Sequence, residues 1–232
     1  MGAGRGTGRR RSTARVVGVV GVLCAVNLAT HLGPANTSLV LGVPVATGLI
    51  VTGRWWGLSW EDFGLARHSW RTGARYAVRS LLGVGAFYVV AVLIPATRSW
   101  LLDPRDDLDL GSALLTALVL IPLRTVIHEE VAFRGVLWAL LRRDHGTVTA
   151  TVVSSALFGA WHILPAMAGS AGPGQWRAAL GTVVFTALAG VVFCELRRRS
   201  GSLLAPAGLH WATNGLGVLA SAAVSSMAAQ SP

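Results

Sequence analysis

Residues 112–135 read SALLTALVLIPLRTVIHEEVAFRG, an apolar run that ends in two adjacent glutamates, Glu129 and Glu130, followed by Arg134. Spanning a bilayer as a helix takes about 20 mainly apolar residues. The run meets that length, and an ionisable side chain inside it costs about 2.5–3.5 kcal/mol on the insertion scale. Acidic residues placed there need a partner and a purpose. Positions four apart share a helix face, so Glu130 and Arg134 can pair. Glu129, rotated by about 100° at 3.6 residues per turn, is free to face another cavity. The pair by itself also fits a purely structural bridge, whereas Glu129 has no local partner.

The rest of the chain agrees with a membrane setting. Hydrophobic residues make up 53% of the sequence and charged residues 13%, about half the charged share of an ordinary soluble domain. Further apolar stretches cover about 16–33, 37–53, 76–95, 147–166, 178–195 and 202–222, with the key run counted as 112–130. The expected fold is therefore all-α, a polytopic transmembrane bundle of about seven to eight spans. Residues 57–75, GLSWEDFGLARHSWRTGAR, mix tryptophan, glycine and charge and fit a segment lying in the membrane interface. The expected organisation is an Arg-rich cytoplasmic tail over 1–15, N-terminal helices and the interfacial segment over 16–110, and a core over 111–225. The start also resembles a signal peptide, but no A-x-A site follows, and the first span is expected to be retained. Gly2 makes no myristoylation site, because Gly6 stands where Ser or Thr is needed.

All twenty basic residues are arginine, and the formal charge is +10. A basic balance can point to nucleic acid, but these arginines fall between apolar runs, so no nucleic-acid partner is expected. With the N-terminus inside and seven spans, the inside segments hold Arg5, Arg9, Arg10, Arg11 and Arg15, then Arg54, Arg67, Arg71 and Arg75, then Arg142 and Arg143, then Arg197, Arg198 and Arg199. The outside loops hold Arg98, Arg105 and Arg177. That excess satisfies the positive-inside rule and predicts a multi-pass protein of the cell membrane with a cytoplasmic N-terminus. Cys24 and Cys194 lie in apolar runs and read as small apolar fillers.

Two more polar features interrupt apolar runs. Phe158 and His162 stand four apart in FGAWH. His210 and Asn214 stand four apart in HWATN, after SLLAPAGL. A histidine bonded to a backbone carbonyl, or polar glue between helices, would explain either alone. Together they place a carboxylate, two imidazoles and an amide on three helices that could converge near mid-membrane. Counted from the helix ends, His162 falls nearer the outer side than His210, and only a kinked or extended fourth helix would bring them level.

Glu129, Glu130 and Arg134 as EE-x-x-x-R, Phe158 and His162 as F-x-x-x-H, and His210 and Asn214 as H-x-x-x-N resemble the three signature motifs of the CPBP family of intramembrane glutamic endopeptidases, the CAAX amino-terminal protease and bacteriocin-processing family. The likeness covers about residues 110–220 and extends to the flanks AFRG and SLLAPAGLHWATNG. It implies an all-helical protease that acts on a membrane-associated peptide or protein. In that family one branch trims prenylated CAAX proteins, and bacterial members are tied to peptide maturation or bacteriocin immunity. Carried over, Glu129 is the general base and His162 helps to hold and polarise the water. His210 and Asn214 donate to the oxyanion, while Glu130, Arg134 and Phe158 support them. Burial favours a neutral carboxylic acid, which is no base, and a nearby cation counters that. No cofactor and no metal is expected.

Two other readings stay open. A zinc metalloprotease could use two histidines and a glutamate, although H-E-x-x-H fails because Ala132 stands where the second histidine belongs. A non-enzymatic immunity or scaffold protein could bind a peptide in the same cavity. Substrate identity and oligomeric state are not written in the sequence.

Overall fold

A computed structural model describes residues 3–34, 36–102, 108–169, 172 and 174–229, with side chains from residue 12 onward. Arg105 and the side chains of Arg5, Arg9, Arg10 and Arg11, counted above, lie outside this description.

The described residues form helices and turns only. The long ones are α1 (Ala3–Leu32), α2 (Thr37–Trp55), α4 (Trp70–Leu93), α8 (Trp138–Trp161), α10 (Gln175–Ser200) and α11 (Leu204–Ala229), and the short ones are α3 (Trp60–Phe63), α5 (Pro95–Arg98), α6 (Leu110–Leu115), α7 (Ile127–Glu129) and α9 (Ile163–Ala168). Among the described residues, five stretches are long and apolar enough to cross a membrane: Ser12–Leu32, Thr37–Trp55, Trp60–Leu93, Leu110–Ala168 and Gln175–Ser200. The protein is an all-helical, multi-pass membrane bundle.

The fourth expected span does not stop at residue 130. From Leu110 the chain stays helical to His145, through wide π turns at Thr116–Leu120, Pro122–Val126 and Glu130–Leu137. Pro122 removes one ladder donor, and π turns are a common way for a helix to absorb such an interruption. Side chains from other helices take up carbonyls along this run. Trp211 Nε1 donates to Ala117 O at 2.7 Å and the Ser154 hydroxyl to Phe133 O at 2.9 Å. The run ends at Gly146, whose φ of 80° is open to glycine at little cost. The fourth helical run is thus longer than the expected 112–130.

Small residues set the spacing between helices. A Cβ on Gly159 would meet Val183 O at 2.7 Å and Ala187 Cβ at 2.8 Å, and one on Gly190 would meet Ser155 at 3.1 Å. These contacts close α8 onto α10. Likewise a Cβ on Gly208 would lie 2.4 Å from Ala77 Cβ, so α11 rests directly on α4. In a bilayer there is little hydrophobic drive between helices, and such close backbone approach supplies the packing.

The segment 57–75 is more deeply anchored than an interfacial strip. Ser59 and Asp62 form a capping box that starts α3, and Leu58 and Phe63 are fully buried in the main core. Helix α4 then begins at Trp70, earlier than the expected residue 76. Arg197 holds this segment down by donating to Glu61 O and Asp62 O, both at 2.9 Å. Arg142 approaches Asp62 at 3.6 Å, Arg15 donates to Trp56 O, and Ser12 bonds Asp144. Residues 12–15, 56–62, 142–144 and 197 therefore share one end of the bundle.

Candidate active site

The wide turn from Glu130 to Leu137 is buried along its whole length, and Glu129 precedes it with 4% of its surface exposed. Arg134 NH1 donates to Glu130 Oε1 at 3.1 Å, with neither side chain more than 2% exposed. The expected i, i+4 pair is present. A third group joins it: His210 Nδ1 lies 2.8 Å from the same Glu130 oxygen. With Glu130 as a carboxylate, His210 Nδ1 is the donor, and its Nε2 turns toward Glu129 Oε2 at 3.9 Å.

Glu129 is held from the other side. Trp161 Nε1 donates to Glu129 Oε1 at 3.1 Å. Oε2 of Glu129 is buried and has no hydrogen-bond partner. One oxygen of this carboxylate is thus fixed and the other is free, facing an imidazole. A buried acceptor left unmade costs about 1–3 kcal/mol, and Glu130 Oε2 is likewise buried without a partner among the described residues.

Aromatic rings surround the charges. The Arg134 guanidinium sits 4.0 Å from the centre of Phe158 and 4.7 Å from that of Phe193. His210 stacks on Phe193 at 5.2 Å, with 24° between the planes, and meets Phe158 edge-on at 5.9 Å. Phe158 thereby covers the guanidinium while touching both motif histidines, for it also meets His162 at 4.8 Å.

The remaining motif residues stand further out. His162 ends α8, is partly exposed, and places Nδ1 2.8 Å from Phe158 O. An Nδ1–H donated there leaves Nε2 with its lone pair. His162 follows Trp161 directly, so the end of α8 lies beside Glu129. Asn214 is exposed one turn beyond His210, and its side-chain oxygen accepts from Thr213 at 3.4 Å. The structure brings Glu129, Glu130, Arg134, Phe158 and His210 into one cluster and leaves His162 and Asn214 at its margin.

Sequence reasoning passed over Trp161, Phe193 and His128. Trp161 lay inside the F-x-x-x-H motif, but nothing distinguishes a hydrogen-bonding tryptophan from a packing one by type alone. His128 is 3% exposed, with both ring nitrogens unpartnered, and packs 5.8 Å from the Trp161 ring. Among the described residues, no three His, Cys, Asp or Glu side chains are grouped to hold a metal ion.

Two carboxylates, an imidazole and a guanidinium are thus enclosed together by apolar helices. Residues 111–216 match the family model described as type II CAAX prenyl endopeptidase Rce1-like. Over that segment the chain is similar to the CAAX protease (CPBP) family. No curated protein matches the chain, and no solved structure does.

Proposed function

We propose that the protein is an intramembrane endopeptidase that hydrolyses a peptide bond in a membrane-associated protein or peptide, with Glu129 as the base that activates water. The observation that carries this reading is the asymmetry of the Glu129 carboxylate. Trp161 occupies Oε1, and Oε2 is free and 3.9 Å from His210 Nε2. A base needs one oxygen available to take a proton and a fixed orientation while doing so.

In this reading Glu129 Oε2 removes a proton from water as the water oxygen attacks the scissile carbonyl carbon. His162, anchored through Nδ1 to Phe158 O, holds the water through Nε2. His210, as imidazolium, donates Nε2–H to the oxyanion. Glu130 Oε1, 2.8 Å from Nδ1, fixes the orientation of that ring. Asn214 is the second donor, reaching the oxyanion once substrate fills the space beside His210. Collapse of the intermediate breaks the C–N bond, and the protonated Glu129 returns its proton to the leaving amine. Oxyanion donors in a water-poor site are worth about 2.7–4 kcal/mol each. Arg134, between two phenylalanines, holds Glu130 in place through its hydrogen bond to Oε1.

The protein is proposed to sit in the cell membrane with its N-terminus in the cytoplasm. Contacts that gather Ser12, Arg15, Asp62, Arg142 and Arg197 at one end of the bundle support that arrangement.

The test compares newly formed protein termini in cells carrying the wild-type chain and the Glu129→Gln variant. Termini that appear only with the wild type, and that purified protein regenerates from a matching synthetic peptide in lipid nanodiscs, are expected. Identical terminus profiles at equal protein levels would overturn the assignment.

A further inference from the structure

Arg67, Arg71, Arg75 and Arg79 recur every four residues, from the turn before α4 through its first turns. Other arginines with described side chains are engaged. Arg54 donates to Leu58 O at 2.6 Å, Arg98 to Val92 O at 2.8 Å and Arg124 to Asn36 Oδ1 at 2.6 Å. Arg143 approaches Asp144 at 4.0 Å, Arg198 and Arg199 both pair with Glu195, and Arg177 lies over Trp176. Arg15, Arg134, Arg142 and Arg197 have the partners given above. Arg67, Arg71, Arg75 and Arg79 alone have no hydrogen bond, ion pair or ring partner among the described residues.

Arg71, Arg75 and Arg79 are exposed on one face, and with Ala74 and Val78 they line a shallow recess of about 500 Å³. Like charges at i, i+4 repel, and no carboxylate here offsets them. The stretch also opens a segment, Trp60–Leu93, that is long and apolar enough to cross a membrane. Trp55, Trp60 and Trp70 are 85%, 51% and 48% exposed at this end of the bundle, as tryptophans at headgroup level are. Arg79 lies about 14 Å further along the helix than Trp70, at 1.5 Å per residue. A guanidinium there reaches back toward the interface along its own stem. The anion available in that layer is the phosphate of a lipid, and guanidinium matches phosphate in a two-bond geometry. Between the arginines, Ala74 and Val78 leave room for the start of an acyl chain.

We propose that this face of α4 binds the headgroup of an anionic phospholipid in the leaflet on the basic side of the bundle. A zwitterionic lipid brings its own cation close to the arginines, whereas an anionic headgroup neutralises them. The site has a structural consequence, because α4 is the helix on which α11 and His210 rest through the Gly208–Ala77 contact. Bound lipid therefore stabilises the platform under the cluster, whatever reaction that cluster performs.

The test uses the purified full-length protein in mild detergent and native mass spectrometry. Equal amounts of phosphatidylglycerol and phosphatidylcholine with the same acyl chains are offered, with and without millimolar inorganic phosphate. The wild type is expected to retain phosphatidylglycerol preferentially and to keep it in phosphate. Each of Arg71→Gln, Arg75→Gln and Arg79→Gln should cut retention about fivefold, the factor that corresponds to about 1 kcal/mol per basic residue at an anionic surface. An Arg198→Gln, Arg199→Gln control should leave it unchanged. Equal retention of the two lipids by the wild type, full retention by the α4 variants, or displacement by phosphate alone would each overturn the proposal. If a variant fails to fold, the wild-type melting temperature decides, since it should rise more with phosphatidylglycerol than with phosphatidylcholine.

Discussion

His210 Nδ1 lies 2.8 Å from Glu130 Oε1, the oxygen that also accepts from Arg134 at 3.1 Å, although 80 residues separate the histidine from the glutamate. Glu130 is thus the junction between the buried guanidinium and the imidazole that faces Glu129. Glu130→Gln is predicted to lower the amount of folded protein. Removing one partner of a buried pair costs about 3–5 kcal/mol, and here one change weakens two contacts. Thermal unfolding of the purified variant, followed by tryptophan fluorescence, measures it. A wild-type melting temperature would contradict the junction role.

Trp161→Phe keeps the ring that packs on Phe133 and His128 but deletes the donor to Glu129 Oε1. A hydrogen bond to a charged group is worth about 1.5–3 kcal/mol, so turnover should fall about 10- to 150-fold on a peptide identified from cleaved termini. KM should change little, because the contact orients the base rather than the substrate. A change confined to KM would place Trp161 in substrate binding instead.

Gly208→Val should prevent α11 from seating on α4, because its Cβ would lie 2.4 Å from Ala77 Cβ. Unlike the clash of a flexible side-chain tip, this one involves two backbone-anchored carbons. Loss of folded, detergent-extractable protein is expected. Partial recovery by a second change, Ala77→Gly, would show that the contact itself is responsible.

Reporter fusions after Gly33, Asp107, Arg143 and Arg199 should read outside, outside, inside and inside. Asp107 lies outside the described residues, while Arg143 and Arg199 end the two helical stretches whose basic tips share one end of the bundle. An inverted pattern at the last two positions would reject the cytoplasmic N-terminus.

Metal content separates the glutamate mechanism from zinc chemistry. A metal mechanism needs three protein ligands and an open position for water. Active, purified protein is predicted to hold well under one zinc per chain and to keep its activity after prolonged chelation. Stoichiometric zinc, with activity lost on chelation and restored by zinc, would reassign Glu129, His162 and His210 as ligands and leave Glu130 as the best candidate for the base.

By itself, the sequence determined that this is an all-helical membrane bundle. Runs of about 20 apolar residues leave the backbone no other way to satisfy its hydrogen bonds in lipid. It also determined the Glu130–Arg134 pair, because residues four apart on a helix are neighbours whatever the fold. Only the tertiary structure decided that Glu130 serves His210, that Trp161 fixes one oxygen of Glu129, and that Phe158 and Phe193 enclose Arg134. Those contacts join α7 and the wide turn after it to α8, α10 and α11. They depend on how far each helix extends and how closely it approaches its neighbour. The wide turns around Pro122 carried the fourth helix past its expected end, and bare glycines at 159 and 208 let backbones touch. Hydropathy records neither, since it averages over a span and carries no information on which face of one helix meets which face of another.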